Sequence, residues 1–206
     1  MCLIIHQPPG RTTPLDLLRS AAEHSPDGFG FMGLRSDMSV HVERHTEASL
    51  DLLKSIADRF AGRDCAYHFL RHAGCVPPRA NLHPFEVGPG LYLMHNGTAN
   101  VPLRHPGRSD TWHLVNDYLA PLLSHRRRLI YDRAFRSILD QWLGPKNRMV
   151  ILDLQEQRIE VLTPADGVEW RGLWLSNSRW LDRESLGIPE DDRHVQILRG
   201  SQVVFC

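Results

Sequence analysis

Cys2-Leu3-Ile4-Ile5-His6 opens the chain as a short, apolar and β-branched stretch, and Pro8-Pro9-Gly10 ends it. A run of this kind predicts a buried strand, because branched side chains pack well on a pleated surface and proline and glycine interrupt the ladder. We therefore expect the chain to begin within folded structure, with a cysteine at the start of its first strand.

Strand and helix patterns follow in blocks rather than in strict alternation. Thr13 and Pro14 predict a cap and a first helical residue for a helix that ends near His24, and helical spacing returns over residues 48–61. Between these helices lies a predicted hairpin whose first strand is Gly28-Phe29-Gly30-Phe31-Met32-Gly33-Leu34. This order predicts an α+β fold with mostly antiparallel sheets.

The second half of the chain continues this mixture. Ser109 predicts the cap of a further helix, and residues 132–143 predict another. Arg126-Arg127-Arg128 predicts a solvated loop, and the short strands after about residue 145, including a last hairpin within residues 195–205, predict only the completion of the sheets. The helix after Ser109 has four apolar residues at helical spacing, Trp112, Val115, Leu119 and Leu122.

Composition excludes several classes of protein. The chain has 206 residues, 42% of them hydrophobic, and its 24 Lys and Arg balance its 24 Asp and Glu. No apolar run approaches the ~20 residues of a membrane-spanning helix, and the chain has no excess of positive charge that would attract nucleic acid. We expect one domain, residues 1–206, with no membrane or nucleic-acid partner. Four scattered cysteines and the lack of a basic, apolar leader predict reduced thiols and a cytoplasmic location.

Cys2 is the first candidate for chemistry. Removal of the initiator Met would leave a thiol and a free α-amino group on one residue. A thiol titrates near ~8.5 and an α-amino group near ~7.7–8.0, so this amine can accept the thiol proton at neutral pH. The alternative is that Cys2 is a small buried hydrophobic residue.

Asn96 and Gly97 are candidates for an oxyanion hole. The sequence His95-Asn96-Gly97 follows a predicted strand. An Asn side-chain amide and an adjacent Gly N–H aimed at one point would stabilise a tetrahedral oxyanion. The alternative is a sharp turn, for which Asn-Gly is a common sequence.

Arg71 and Asp110 are candidates for binding an amino acid. Arg71 follows a predicted strand and Asp110 follows the Ser109 cap. The guanidinium would bind the α-carboxylate of the ligand and the Asp110 carboxylate would bind its ammonium. The alternatives are a surface ion pair and an acidic residue placed favourably in the first turn of a helix.

A zinc site is the rival hypothesis. Cys65, His68, His72 and Cys75 are four zinc-ligating residue types within eleven residues. Alternation along a strand places Cys65 and His68 on opposite faces, and zinc fingers usually have a longer loop between their ligand pairs. We therefore rank zinc below the nucleophile hypothesis and predict no metal.

Six short motifs occur in order over about residues 1–120. They are Met1-Cys2, Ser25-Pro26-Asp27-Gly28-Phe29-Gly30, His68-Phe69-Leu70-Arg71, Asn81-Leu82-His83-Pro84-Phe85, His95-Asn96-Gly97 and Ser109-Asp110. This combination resembles the class II glutamine amidotransferase domain of the N-terminal-nucleophile (Ntn) hydrolases, whose complete domain is about as long as this chain. The resemblance implies a four-layer αββα sandwich of two mostly antiparallel sheets.

The same resemblance implies roles for residues at matching positions. Cys2 would be the nucleophile and, through its amine, the general base. Asn96 and Gly97 would form the oxyanion hole. Further residues would contact or shape the glutamine pocket: Arg71 for the carboxylate, Asp110 for the ammonium, and Asp27 and His83 as pocket-shaping residues.

The implied reaction is hydrolysis of glutamine, or of a γ-glutamyl amide, through a Cys2 thioester without a metal or organic cofactor. A separate synthase subunit would be the ammonia acceptor, or the ammonia would simply be released. The alternative is an inactive binding module that retains Met1. Two positions depart from the family pattern: Leu3 replaces the usual Gly, and Arg71-His72-Ala73-Gly74-Cys75 lacks the usual Thr.

Overall fold

Two antiparallel sheets make up the centre of the structure, a computed structural model that describes residues 2–71, 79–162, 167–179 and 181–188. The first sheet has six strands in the order β3-β2-β4-β1-β10-β9, and the second has four in the order β5-β6-β7-β8. Every described strand pair is antiparallel. The strands are β1 (Leu3–Gln7), β2 (Gly28–Leu34), β3 (Val40–His45), β4 (Cys65–Leu70), β5 (Phe85–Gly88), β6 (Leu91–Asn96), β7 (Arg148–Asp153), β8 (Arg158–Val161), β9 (Val168–Trp170) and β10 (Leu173–Leu175).

Helices cover the outer face of each sheet. A π-helical segment, Leu114–Leu119, joins two of them, and 3₁₀ turns occupy Arg79–Asn81 and Arg127–Tyr131. Among the helices that the structure describes, none is both long enough and apolar enough to cross a membrane. The helices are α1 (Leu15–His24), α2 (Leu50–Arg59), α3 (Asp110–His113), α4 (Ala120–His125), α5 (Arg133–Leu143) and α6 (Arg183–Leu186).

Alternation along the strands creates three apolar layers. In β1, Leu3 and Ile5 pack outward among residues of α1 and α2, whereas Ile4 points to the other sheet and joins a cluster with Met94 and Val150. A third cluster lies between the second sheet and the helices from α3 to α5. Since side chains of a strand alternate between its faces, this arrangement gives helix, sheet, sheet and helix layers. The predicted α+β fold with an αββα sandwich is confirmed.

Gly30 in β2 allows another segment to approach the sheet closely. A Cβ on Gly30 would overlap the carbonyl oxygen of His83 and lie 2.7 Å from its carbonyl carbon. The next residue, Pro84, accepts a hydrogen bond of 2.7 Å on its carbonyl from Arg44 Nε. The segment that carries His83 is therefore held directly against β2.

The predicted cap of the first helix is wrong. The helix begins at Leu15, and Pro14 occupies the N-cap position in an extended conformation. Thr13 does not cap it, because its hydroxyl donates to Gln7 Oε1 at 2.7 Å and its backbone N–H donates to the same oxygen at 2.6 Å. The hydroxyl is therefore committed to β1 rather than to the helix.

The predicted apolar face after Ser109 is correct only in part. Val115 and Leu119 are buried, but Leu122 is 42% exposed and Leu123 takes the buried position. The π-helical segment explains the change, because its i→i+5 hydrogen bonds add one residue to the turn and shift the buried face by one position.

Arg127 also differs from the prediction of a solvated loop. Its guanidinium forms an ion pair with Asp153, and it donates to the carbonyl oxygens of Pro89 at 2.7 Å and Gly90 at 3.1 Å. Its neighbour Arg128 is exposed, as predicted. Arg127 thus fixes the 3₁₀ turn to the second sheet.

The strands β5 and β9 were not predicted, and the predicted hairpin within residues 195–205 lies outside the described residues.

Candidate active site

Cys2 lies where the two sheets meet, directly before β1. Its backbone nitrogen donates to Asn96 Oδ1 at 3.0 Å, across the space between the sheets. Its carbonyl oxygen accepts from Asn177 Nδ2 at 2.9 Å. The Cys2 side chain is 9% exposed and packs with Leu70 and Leu82. The residue with the candidate nucleophile is therefore held at both its nitrogen and its carbonyl.

Asn96 is the last residue of β6, Gly97 follows it, and the Asn96 side chain reaches the Cys2 nitrogen. Asn96 is buried, and its Nδ2 donates to Ser176 Oγ at 2.9 Å. An amide nitrogen has two hydrogens, so a second N–H remains to serve an oxyanion. Gly97 has φ +154°, and a Cβ there would overlap Asn147 Oδ1. Only glycine fits this turn without displacing Asn147.

Several predicted residues influence the pKa of the Cys2 thiol. Burial raises the pKa of this thiol to about 11, which the backbone N–H of Arg71 opposes by donating to the sulfur, and the carboxylates of Asp110 and Asp27 raise it further. Charge effects of this kind require proximity. The Arg71 backbone therefore contacts the thiol, and Asp110 and Asp27 lie close enough for their charge to act on it; the roles assigned to these residues stay predictions.

Arg71 and Asp110 also have contacts within the protein. Arg71 Nη1 donates to the His24 carbonyl oxygen at 2.8 Å, and Asp110 Oδ2 accepts from the Ala99 N–H at 2.6 Å. Asp110 starts α3, which Ser109 caps by accepting from the Trp112 N–H at 3.1 Å, as predicted. The Asp110 carboxylate has lone pairs beyond this contact, because a carboxylate has about four acceptor sites.

Three buried histidines lie beside the site. His83 stacks on His68 with ring centroids 3.9 Å apart, and His68 Nε2 donates to the His95 carbonyl oxygen at 3.2 Å. The His95 ring points to the helical side, where Thr111 Oγ1 and Asn147 Oδ1 each lie 2.8 Å from a ring nitrogen. Burial lowers the pKa of His68 to about 3 and also lowers the pKa of His83 and of His95. All three rings are therefore neutral near pH 7.

These histidines predict acid lability. Below pH 6.5 the unfolded chain binds protons that the folded chain does not, so the free energy of unfolding falls as the pH falls from 6.5 toward 3. For His68 alone the expected loss is about 2 kcal/mol by pH 5, and His83 and His95 act in the same direction. Urea unfolding at pH 7.5, 6 and 5 measures this.

His83→Leu is the matched variant, because neither ring nitrogen of His83 has a hydrogen-bond partner among the described residues. The variant should show a shallower dependence on pH than the wild type. Equal urea midpoints for the wild type at pH 7.5 and pH 5 would contradict neutral buried rings.

The two described residues of the proposed zinc site, Cys65 and His68, lie on opposite faces of β4. Cys65 packs in the outer cluster with Tyr67 and Phe69, whereas His68 contacts His95 on the inner side. His72 and Cys75 lie outside the described residues. Within the described residues, no three His, Cys, Asp or Glu side chains are placed to hold a metal ion.

Two residues of the site were not predicted from the sequence. Ser176 and Asn177 follow β10 and contact Asn96 and Cys2, although this region was predicted only to complete the sheets. Their separations along the chain are 80 and 175 residues, so no local pattern could relate them to the nucleophile. A polar pair directly after a buried strand was the one available signal.

Comparisons with known proteins give matches among solved structures. No protein-family model matches the chain, and no curated protein matches it. The chain is similar to glutamine phosphoribosylpyrophosphate (PRPP) amidotransferase from B. subtilis, complexed with ADP and GMP, with 12% identity and a TM-score of 0.49. That alignment covers 91% of this chain and 44% of the other.

Two further structures are similar. One is a glutamine aminotransferase class-II domain protein from Silicibacter pomeroyi, with 17% identity, a TM-score of 0.37, and coverage of 74% of this chain and 73% of that one. The other is the allosteric regulatory enzyme of purine biosynthesis, with 14% identity, a TM-score of 0.47, and coverage of 91% and 44%. The chain thus spans less than half the length of two of these three proteins.

Proposed function

We propose that the protein is a glutamine amidohydrolase of the class II amidotransferase type, with Cys2 as an N-terminal nucleophile. The observation that supports this most is the contact of 3.0 Å between the Cys2 nitrogen and Asn96 Oδ1. After removal of Met1 this nitrogen is an amine beside the thiol of the same residue, with an amide side chain to hold it. The six motifs support the same reaction.

In the first half-reaction the Cys2 thiol gives its proton to the α-amine, and the sulfur attacks the γ-amide carbon of glutamine. Asn96 Nδ2 and the Gly97 N–H stabilise the negative oxygen of the tetrahedral intermediate. The protonated amine then returns the proton to the departing nitrogen as the C–N bond breaks. Ammonia and a glutamyl thioester result.

In the second half-reaction water hydrolyses the thioester. The same α-amine takes a proton from the water, the hydroxide adds to the acyl carbon, and the C–S bond breaks to give glutamate and the Cys2 thiol. Arg71 and Asp110 hold the α-carboxylate and α-ammonium of the substrate, while Asp27 and His83 shape the pocket. The protein's own groups suffice for this sequence, without a metal or organic cofactor.

The proposal includes glutamine or a γ-glutamyl amide as substrate, a cytoplasmic location, and release of ammonia to a separate synthase subunit or to solution. A panel of γ-glutamyl amides tests the substrate, because a solo hydrolase should turn over at least one of them. Co-purification with a synthase, together with faster turnover in the complex, would assign the acceptor.

The experiment that tests the nucleophile compares two amino termini. A glutamine analogue with an electrophilic ketone in place of the amide is incubated with the processed chain and with a chain extended before Met1. We expect one adduct, by intact mass, on a processed chain that lacks Met1. In the extended chain the Cys2 nitrogen remains a peptide amide and cannot act as a base. The thiol, with a pKa of about 11, should then label slowly at pH 7.5, and the labelling rate should rise about tenfold per pH unit until the pH reaches the pKa.

Equal labelling of the two chains at pH 7.5 would contradict an amine base. Labelling of Cys65 or Cys75 instead of Cys2 would contradict the choice of nucleophile. A fully active chain that retains Met1 would exclude the Cys2 α-amine as the base. It would also contradict the alternative of an inactive binding module.

A further inference from the structure

Ser176 lies between the two sheets, beside the candidate nucleophile. It directly follows β10 and is 3% exposed. Its backbone N–H donates to the Ile4 carbonyl oxygen at 2.9 Å, and its Oγ accepts from the Ile4 N–H at 2.8 Å. The same Oγ accepts from Asn96 Nδ2 at 2.9 Å. A single hydroxyl therefore connects the backbone of β1 to the side chain of Asn96.

The Cys2 N–H, which needs an acceptor, and Ser176, which accepts from Asn96 Nδ2, together set which way the Asn96 amide faces. A serine hydroxyl has two lone pairs, and here Ile4 N–H and Asn96 Nδ2 occupy both of them. Asn96 Nδ2 thus faces Ser176 and its Oδ1 faces the Cys2 nitrogen. The amide is held at both ends in one orientation.

This orientation matters for the proposed chemistry. With Oδ1 toward the α-amine, the amine donates a hydrogen to Asn96 and retains its lone pair for the thiol proton. With the amide reversed, Nδ2 would donate to that lone pair and the amine could not act as a base. The same constraint sets the direction of the second Nδ2 hydrogen, which serves the oxyanion.

We propose that Ser176 is a positioning residue that acts through Asn96, and this inference rests on the proposed amidohydrolase function. Ser176 binds no part of the substrate. Its loss would leave Asn96 free to rotate, so that both the amine and the oxyanion donor are misplaced. Glutamine binding through Arg71 and Asp110 would remain.

The test is a double-mutant cycle on glutamine hydrolysis with the processed chain. We expect Ser176→Ala to lower kcat by about 10–100-fold with KM within about twofold, since misplacement by about 1 Å typically costs about 10²-fold. In a chain that already has Asn96→Ala, adding Ser176→Ala should lower kcat no further, because residues that act as a unit are not additive.

Ser20→Ala is the matched control. Ser20 is also buried, and its Oγ also accepts a backbone N–H, from Asp182 at 2.7 Å, but it lies on α1 among the outer helices. The control should lower the melting temperature as Ser176→Ala does and leave kcat and KM unchanged.

Each other outcome has a definite meaning. The role through Asn96 would be overturned if Ser176→Ala lowered kcat equally in the wild-type chain and in the Asn96→Ala chain. It would also be overturned if Ser176→Ala left kcat unchanged, or if Ser20→Ala lowered kcat as much as Ser176→Ala does. An inactive and unlabelled wild-type chain would instead overturn the proposed function, and this inference with it.

Discussion

Cys2→Ala should lower the rate of glutamine hydrolysis by roughly 10⁴-fold or more. The expected effect is this large because in the proposed mechanism the sulfur forms the covalent intermediate, and an enzyme without its nucleophile retains only the contribution of the oxyanion hole and of binding. The variant keeps the proposed α-amine base, Asn96 and the residues proposed to bind the substrate. Ammonia release, measured at saturating glutamine, is the assay.

Cys65→Ala is the control for this prediction. Cys65 is buried in the outer cluster, where burial raises the pKa of its thiol, so it is inert near neutral pH. We expect full activity per folded molecule and a small loss of stability from the deleted sulfur. Hydrolysis that persists in Cys2→Ala and disappears in Cys65→Ala would reverse the assignment of the nucleophile.

Gly30→Ala should destabilise the fold by about 2–4 kcal/mol, the largest effect on stability that we expect from a single methyl group. The new Cβ would overlap the backbone carbonyl of His83, and a backbone atom cannot move aside as the end of a side chain can. Either β2 or the segment with His83 must shift, which separates His83 from His68. Urea unfolding measures the loss of stability.

Gly88→Ala is the matched glycine substitution in the other sheet. A Cβ on Gly88 meets no atom within 4 Å. This variant should therefore differ from the wild type by about 0.5 kcal/mol or less, as surface substitutions usually do. If Gly30→Ala is as stable as Gly88→Ala, the close approach of His83 to β2 is wrong.

The sequence predicted those features that depend on neighbouring residues. Ser109 caps α3 because a serine hydroxyl reaches the N–H three residues later, and the alternation in β4 separates Cys65 from His68 for the same local reason. The motifs also identified Cys2 and the Asn96-Gly97 pair as candidates; the structure brings Cys2 and Asn96 into contact, and their roles stay predictions.

Other features depend on contacts and helix geometry that no short sequence pattern specifies. Thr13 is a residue type that often caps helices, but its hydroxyl donates to Gln7 Oε1 instead. Leu122 has the correct helical spacing, but a π-helical segment before it shifts the buried face to Leu123. Ser176 reaches the site only because β10 pairs with β1, a pairing that no short pattern specifies.

The pairing of β1 with β10 bears on the order of events during synthesis. Ile4 donates a hydrogen bond to Ser176, 172 residues later, and Cys2 accepts one from Asn177, 175 residues later. Ribosomes add about 5–20 residues per second. The first residues thus wait roughly ten seconds or more for the partners that enclose them. The removal of the residue before Cys2, which the proposed function requires, has this interval in which to occur before Cys2 is enclosed between the sheets.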